Sequence, residues 1–318
     1  MISYAQNFED VILNRVFRNR KDGFYIDVGA MDPVLHSVTK FFYDQGWCGI
    51  NIEPNEWFFS KLAADRVRDI NLNLALGDHG EEDKTFYVFK DYGISTFDES
   101  SRDRFIERGF EAKTKTVKVS TLAAVCREHV DRPIDFLKVD CEGWERPALA
   151  GADWDRFRPT VIVVEATLPL TTTPSFLEWE PILAEAQYDM VYFDGLNRFY
   201  LRRDSPGLRA HFSAPPNVFD EFKVHAIEEA EQATQTAQRE RDGLAGQIAE
   251  LNKRIIELEN GSKFAGDENQ RLRVELEQKA SRIGELERKR NELTDALLRT
   301  RLWVGRLSQE VAANKRRL

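Results

Sequence analysis

Four short apolar runs in the first 165 residues of the chain each stop at a glycine or an acidic residue, and this pattern restricts the fold more than any other. They are Phe24-Tyr-Ile-Asp-Val28 before Gly29, Cys48-Gly-Ile-Asn-Ile52 before Glu53-Pro54, Phe136-Leu-Lys-Val139 before Asp140, and Val161-Ile-Val-Val164 before Glu165. Runs of four or five residues rich in Val, Ile and Phe are too short for helices and suit strands buried on both faces. Between them the spacing predicts helices over 38–42, 57–67, 122–129 and 181–186, with another marked by Ile12, Val16 and Phe17 after Asn7 and Asp10. A third strand is expected over 70–76 and an inserted or edge strand over 85–89. A closing hairpin is expected from 190–193 and 198–201 around Asp194-Gly-Leu-Asn197. Strands alternating with helices imply an α/β fold with a mostly parallel sheet covered on both faces and an antiparallel terminal hairpin.

Such sheets bind ligands beyond the carboxyl ends of their strands, which is where the polar residues fall. Gly29 and Ala30 follow the first strand, where a glycine lets backbone come close to a ligand. Asp27, just before, can accept hydrogen bonds. Glu53 ends the second strand, 26 residues after Asp27, and a carboxylate there can take both hydroxyls of a ribose. As a pair at adjacent strand ends they point to a nucleoside site rather than to a helix cap and a surface acid. Gly29 is followed by Ala30-Met-Asp-Pro33, so the G-x-G-x-x-G loop that a pyrophosphate needs is missing, as is a Walker A lysine. A nicotinamide-dependent reductase and a phosphoryl transferase are therefore disfavoured. Leu74-Ala-Leu-Gly-Asp78 offers small apolar residues for an adenine slot. Lys138, Asp140 and Glu142, with Glu145 beyond, crowd one strand end, and Glu165 another; burying so much charge needs a reason, a structural salt-bridge network or a catalytic site. His36 follows the first loop and is either a base or a loop residue.

At 318 residues with 42% hydrophobic content the chain can bury a full core, and its net charge of −9 gives no reason to expect nucleic acid as partner. Cys48, Cys126 and Cys141 match no zinc motif and read as free thiols of a reducing compartment. With no signal peptide and no apolar run of about 18 residues, a soluble cytoplasmic protein is expected.

Composition changes after about residue 222: proline ends at Pro216, and of the aromatics only Phe264 and Trp303 remain. Two domains are expected, 1–222 and 223–318. In the second, Leu244, Leu251, Leu258, Leu272, Leu286, Leu293 and Leu307 share one heptad position. Ile248, Ile255, Leu276, Ile283, Leu297, Val304 and Val311 share the other. This predicts a coiled coil that makes a homo-oligomer, with a dimer favoured and a trimer open. Ser262, Ala265, Asn269 and Lys279 weaken the seam, and Gly261 and Gly266 flank the first two. A continuous helix over 244–311 would extend about 100 Å. It would dimerise the protein or act as a spacer from a membrane-bound partner such as a glycosyltransferase. Its basic end (Arg299, Arg301, Arg306, Lys315, Arg316 and Arg317, with Trp303) suits either a dipole-compensating terminus or peripheral contact with the anionic inner face of a membrane.

Asp27-Val-Gly-Ala, Ile52-Glu-Pro, Ala75-Leu-Gly-Asp and above all Asp135-Phe-Leu-Lys-Val-Asp-Cys-Glu-Gly-Trp-Glu resemble the FkbM-type methyltransferases. Tyr4-Ala-Gln-Asn-Phe-Glu-Asp10 and Ser37-Val-Thr-Lys-Phe-Phe-Tyr43 are similar to a bacterial, glycan-associated branch of that family. The similarity covers roughly residues 1–212. Pro33 stands where many relatives have glycine. The resemblance implies a Rossmann-like seven-stranded class I methyltransferase sheet, S-adenosylmethionine (SAM) as cofactor, and O-methylation of a sugar or natural product, here a glycan or glycolipid acceptor. It carries Asp27, Gly29, Ala30, Ser37, Glu53, Pro54, Ala75, Leu76 and Asp78 over as cofactor-binding residues. Asp140 is the first choice of base, Glu142, Glu165 and His36 are reserves, and Lys138 orients the acids or hydrogen-bonds the acceptor. A magnesium ion bridging Asp140 and Glu165 is compatible with the sequence but not demanded by it. The competing reading is a non-catalytic nucleoside-binding scaffold assembled by its coiled coil.

Overall fold

In the computed structural model the described residues are all but 81, 90–93, 262–265 and 315–318, with side chains also left out at 82, 260–261, 267, 269 and 300–314. The chain divides into two compact units, Met1–Phe222 and Lys223–Leu318.

In the first unit, a short strand β1 (Ile2–Ser3) precedes α1 (Glu9–Phe17), β2 (Phe24–Val28), α2 (Lys40–Asp44), β3 (Cys48–Ile52), α3 (Glu56–Asp65) and β4 (Ile70–Leu72). After an excursion described below come α5 (Leu122–His129), β8 (Phe136–Val139), α6 (Glu145–Ala150), β9 (Val161–Glu165), α7 (Glu180–Glu185), β10 (Tyr188–Phe193) and β11 (Asn197–Arg202). Seven strands form one sheet in the order β10-β11-β9-β8-β2-β3-β4. β11 runs antiparallel to both its neighbours, and the remaining pairings are parallel.

Side chains alternate across this sheet with period two, so both faces are apolar. Ile26, Val28, Leu137, Val139, Ile162 and Val164 pack with Leu122, Val125, Leu149 and Leu183 of α5, α6 and α7. Tyr25, Phe136, Val161, Val163 and Phe199 pack with Ile12, Leu13 and Val16 of α1 and with Phe42 of α2. Phe136 sits among Phe17, Tyr25, Phe42 and Trp47, with ring centroids 5.1–6.3 Å away. Each such aromatic pair adds about 0.5–1.5 kcal/mol beyond simple burial.

The sequence reading departs from the structure between 70 and 121. The single strand expected over 70–76 is split. β4 stays in the main sheet, while β5 (Ala75–Leu76) joins β6 (Glu82–Phe89) and β7 (Ala112–Ser120) in a separate sheet of order β5-β7-β6. The break has a cause: Asn73 turns its side-chain amide back to the carbonyls of Glu53 and Pro54, at 2.8 and 3.2 Å. α4 (Glu99–Glu107), started by the Asp98 side chain on the amide of Ser101, was not anticipated, nor was β7.

The second unit corrects the expectation of one continuous helix. α8 (His225–Gly261) ends and α9 (Gly266–Asn314) begins at the two glycines that flank the weak core slots. The two run antiparallel, because Arg282 reaches Glu240, Lys279 reaches Gln247, and Arg273 reaches Glu259. The heptad seam is thereby buried within one chain, at Ile255, Leu272 and Leu286. The basic cluster from Arg301 onward, with Trp303, lies outside the described side chains.

Candidate functional site

β2 is an interior strand next to the central β8; the chain moves from it to β3 and β4 on one side and later to β8 and β9 on the other. The crevice between β2 and β8 is therefore the point where the winding reverses, and ligands bind such sheets there. Register puts Asp27 opposite Lys138 and Val28 opposite Val139, with Val139 opposite Val164 in turn. One step further, Gly29, Asp140 and Glu165 come side by side at three strand ends.

The loop after β2 is tightly specified. Gly29 has φ +74°, and a Cβ there would lie 1.8 Å from the Asp140 carbonyl oxygen. The glycine is thus required by a neighbouring strand, not by approach to a ligand. Arg66, fully buried, donates to the Pro33 carbonyl and to Ser37 Oγ, and so pins the loop from beneath. Asp32 accepts from the amides of Val34 and Leu35 and pairs with Lys61 at 2.7 Å.

A cavity of about 760 Å³ opens over these strand ends. The structure brings Asp27, Gly29, Ala30, His36, Ser37, Glu53, Pro54, Ala75, Leu76, Lys138, Asp140 and Glu142 to its wall. Asp78 is not brought there; its carboxylate is partly exposed and pairs with His79. Glu165 is buried behind Asp140 and does not line the cavity. Gln6, Glu9, Phe97 and Trp144 also line it and were missed as site residues. Trp144 donates from Nε1 to the Leu76 carbonyl at 3.0 Å, which ties the small sheet to the end of β8.

Glu53 takes the amide of Met31 on one oxygen and that of Asn55 on the other, at 2.8 and 2.7 Å. Each oxygen keeps further acceptor capacity. Burial pushes its carboxyl up to about 7, against the pull of the two amides and Lys138. Lys138 donates to the Gly29 carbonyl at 2.8 Å and pairs with Asp27 and Asp140 at 3.4 and 3.5 Å. Burial favours its neutral form, but the two carboxylates outweigh burial and hold the ammonium above the ordinary lysine range. With three protons and three such partners, Lys138 orients the acids and has none left for an acceptor. Burial lowers the His36 imidazole below its usual range despite the nearby charges of Asp140 and Asp32, so the ring is neutral at physiological pH. Burial, then the charges of Asp140 and Glu145, raise the Glu142 carboxyl well above the usual range.

Residues 27–190, just over half of the chain, match the methyltransferase FkbM domain. The chain belongs to this family. The matched span of the FkbM domain runs from Asp27 at the end of β2 into β10, and it contains both strand ends that meet at the crevice. No curated protein matches the chain. Among solved structures, precorrin-6y C5,15-methyltransferase of Geobacter metallireducens GS-15 is similar at 12% identity, covering 63% of this chain and 94% of that one. The TM-score is 0.29, and the likeness bears no weight here. The FkbM domain here carries Glu53 and the Lys138–Asp140 pair on opposite sides of β2 in one crevice.

Proposed function

We propose that this methyltransferase uses SAM to methylate a hydroxyl group, of a sugar in a bacterial surface glycan. The observation that carries the reading is the convergence of Glu53, the Gly29 loop and Asp140 on one cavity at the β2–β8 crevice of an FkbM domain. The residues suit SAM. The Glu53 carboxylate can accept from two ribose hydroxyls, Ala75 and Leu76 leave a small apolar slot beside it, and a cofactor without phosphate needs no glycine-rich loop. A cavity of this size also leaves room for a second ligand.

SAM supplies an electrophilic methyl carbon. The remaining work falls to the chain. A sugar hydroxyl is a weak nucleophile, so a base at the acceptor helps. Asp140, which opens to the cavity on one side and to Lys138 on the other, is the base we assign, and neutral His36, which lines the same cavity, is the reserve. Asp27 and Lys138 fix the direction of the Asp140 carboxylate, and alignment of oxygen, carbon and sulfur supplies much of the acceleration. Met31, Leu35 and Phe97 give the cavity an apolar wall.

We assign the helical hairpin to assembly with a second copy, supported by Ile256, Val274 and Leu298, which are apolar and about half exposed on it. Among the described residues no helix is long and apolar enough to cross a membrane. A glycan or glycolipid acceptor would then be met at a membrane face or in the company of a glycosyltransferase. The test is transfer of labelled methyl from SAM to a panel of sugar and glycolipid acceptors, with Asp140→Asn alongside. Transfer lost in the variant with SAM binding kept supports the reading. SAM binding with no transfer to any hydroxyl acceptor favours the scaffold instead.

A further inference from the structure

Behind the cavity wall, the ends of β8 and β9 and the first turn of α6 bring three carboxylates together. One carboxylate oxygen each from Asp140, Glu145 and Glu165 lies within 4.8 Å of the other two. The convergence follows from the fold. Asp140 and Glu165 are next in register after the Val139–Val164 pair, and Glu145 is folded back onto the strand end by its own hydrogen bonds. Its Oε1 accepts the amides of Cys141 and Gly143, at 2.9 and 3.2 Å, which fixes that carboxylate and leaves Oε2 out of those bonds.

Among the described residues the cluster has too little counter-charge for three acids. Lys138 touches only Asp140 among the three and also serves Asp27 and the Gly29 carbonyl. Glu165 is only 7% exposed, and its Oε2 is buried with no hydrogen-bond partner among the described residues. An orphaned carboxylate oxygen, in a residue aligned with two other acids, is a costly arrangement unless something else occupies the space between them. A proton shared between two of the acids would ease the repulsion without satisfying all three. An oxygen-seeking divalent cation would satisfy them together. Oxygens bound at 2.0–2.6 Å to one ion are separated by roughly 3–5 Å, and the three oxygens here lie within 4.8 Å of one another.

We infer that Asp140, Glu145 and Glu165 form a binding site for one divalent cation of the magnesium or manganese class. An all-carboxylate donor set without cysteine or histidine selects these hard ions over zinc or copper. Glu145 and Glu165 anchor the ion from the buried side, and Asp140 exposes it toward the cavity, where water or an acceptor hydroxyl completes its shell. The inference rests on the same Asp140 as the proposed reaction. With an ion in place Asp140 would hold it together with Glu145 and Glu165, the ion would supply acidification of a bound hydroxyl, and His36, which also lines the cavity, would be left as the base.

The test needs neither SAM nor an acceptor, so its failure is distinct from failure of the methyltransferase reading. Full-length protein freed of metal with a chelator is titrated with manganese chloride, followed by the paramagnetic signal of the free ion, with magnesium chloride as competitor. One saturable ion per chain is expected, displaced by magnesium, with affinity falling roughly tenfold or more in Glu165→Gln and in Glu145→Gln and unchanged in Asp78→Asn. Circular dichroism establishes that each variant folds, and either glutamine variant suffices. No saturable binding in the wild-type protein, or binding of equal strength in a folded glutamine variant, overturns the inference.

Discussion

Replacing Gly29 by alanine probes the closest backbone approach at the crevice, and its cost can be worked out from two separate sources. The first is conformational: φ is +74°, and a non-glycine residue in the left-handed region costs about 1–2 kcal/mol. The second is the neighbour. A Cβ would lie 1.8 Å from the Asp140 carbonyl oxygen, so the ends of β2 and β8 must part by about 2 Å to reach ordinary contact. Overpacking of this kind costs about 1–3 kcal/mol. The parting also strains the bond from the Asp140 amide to the Val28 carbonyl, 3.1 Å, worth about 1 kcal/mol. The sum is about 3–6 kcal/mol, or a fall in Tm of about 6–24 °C for a unit of this size. Gly46→Ala is the control, because φ there is +92° but nothing lies within 4 Å of its Cβ. It should cost only the conformational part, about 1–2 kcal/mol. Thermal and urea melts followed by tryptophan fluorescence report on the first unit, which holds five of the six tryptophans. If Gly29→Ala is no less stable than Gly46→Ala, β2 and β8 do not meet as described.

The core, the cluster around Glu9 and the helical hairpin each offer a further test. Phe136→Ala removes a fully buried ring from the aromatic cluster and should cost about 3–5 kcal/mol in the same melts. Burial and neighbouring Asp194 push the Glu9 carboxyl up to about 8, while burial raises Asp194 to about 6. Folded-state values above the ordinary ones mean that the folded chain holds protons the unfolded chain has released. Stability should therefore fall as pH rises from about 4.5 to about 8, and Glu9→Gln should flatten that slope in melts across the range. Leu286→Ala should cost the hairpin about 2–5 kcal/mol, seen as an earlier loss of helical ellipticity with the tryptophan transition unmoved. Light scattering of the full chain should show a dimer, and a monomer at all concentrations would remove the assembly role of the hairpin.

The strand ends were legible in the sequence because a short apolar run closed by an acid suits a buried strand emerging at the edge of a sheet and little else. Their partners were not. Asp27 and Lys138 lie 111 residues apart in sequence, and only the parallel pairing of β2 with β8 sets them opposite each other. Glu145 looked like one more acid in a charged stretch until its two backbone hydrogen bonds showed it turned inward. Arg66, between Asp65 and Val67, has the surroundings of a surface residue, and nothing local signals that its guanidinium lies under the Pro33 loop. β7 alternates Thr and Lys with Val117 and Val119; a period of two was present, but its apolar half was short and its other face exposed. Heptads specify a seam and not whose helix fills it. The glycines at 261 and 266, with Ser262 and Ala265 in core slots, were the available sign that the chain folds back on itself.

Calorimetric titration of SAM into the full-length protein, with Glu53→Ala as comparison, tests the central claim most directly. Burial raises the Glu53 carboxyl to about 7, so the titration belongs at pH 8, where both oxygens accept; the affinity should weaken toward pH 6 as one becomes protonated. One SAM per chain is expected, with a Kd on the order of micromolar, weakened about tenfold or more in a folded Glu53→Ala protein. Absence of binding to the folded wild-type chain, or equal binding by the variant, would contradict the claim.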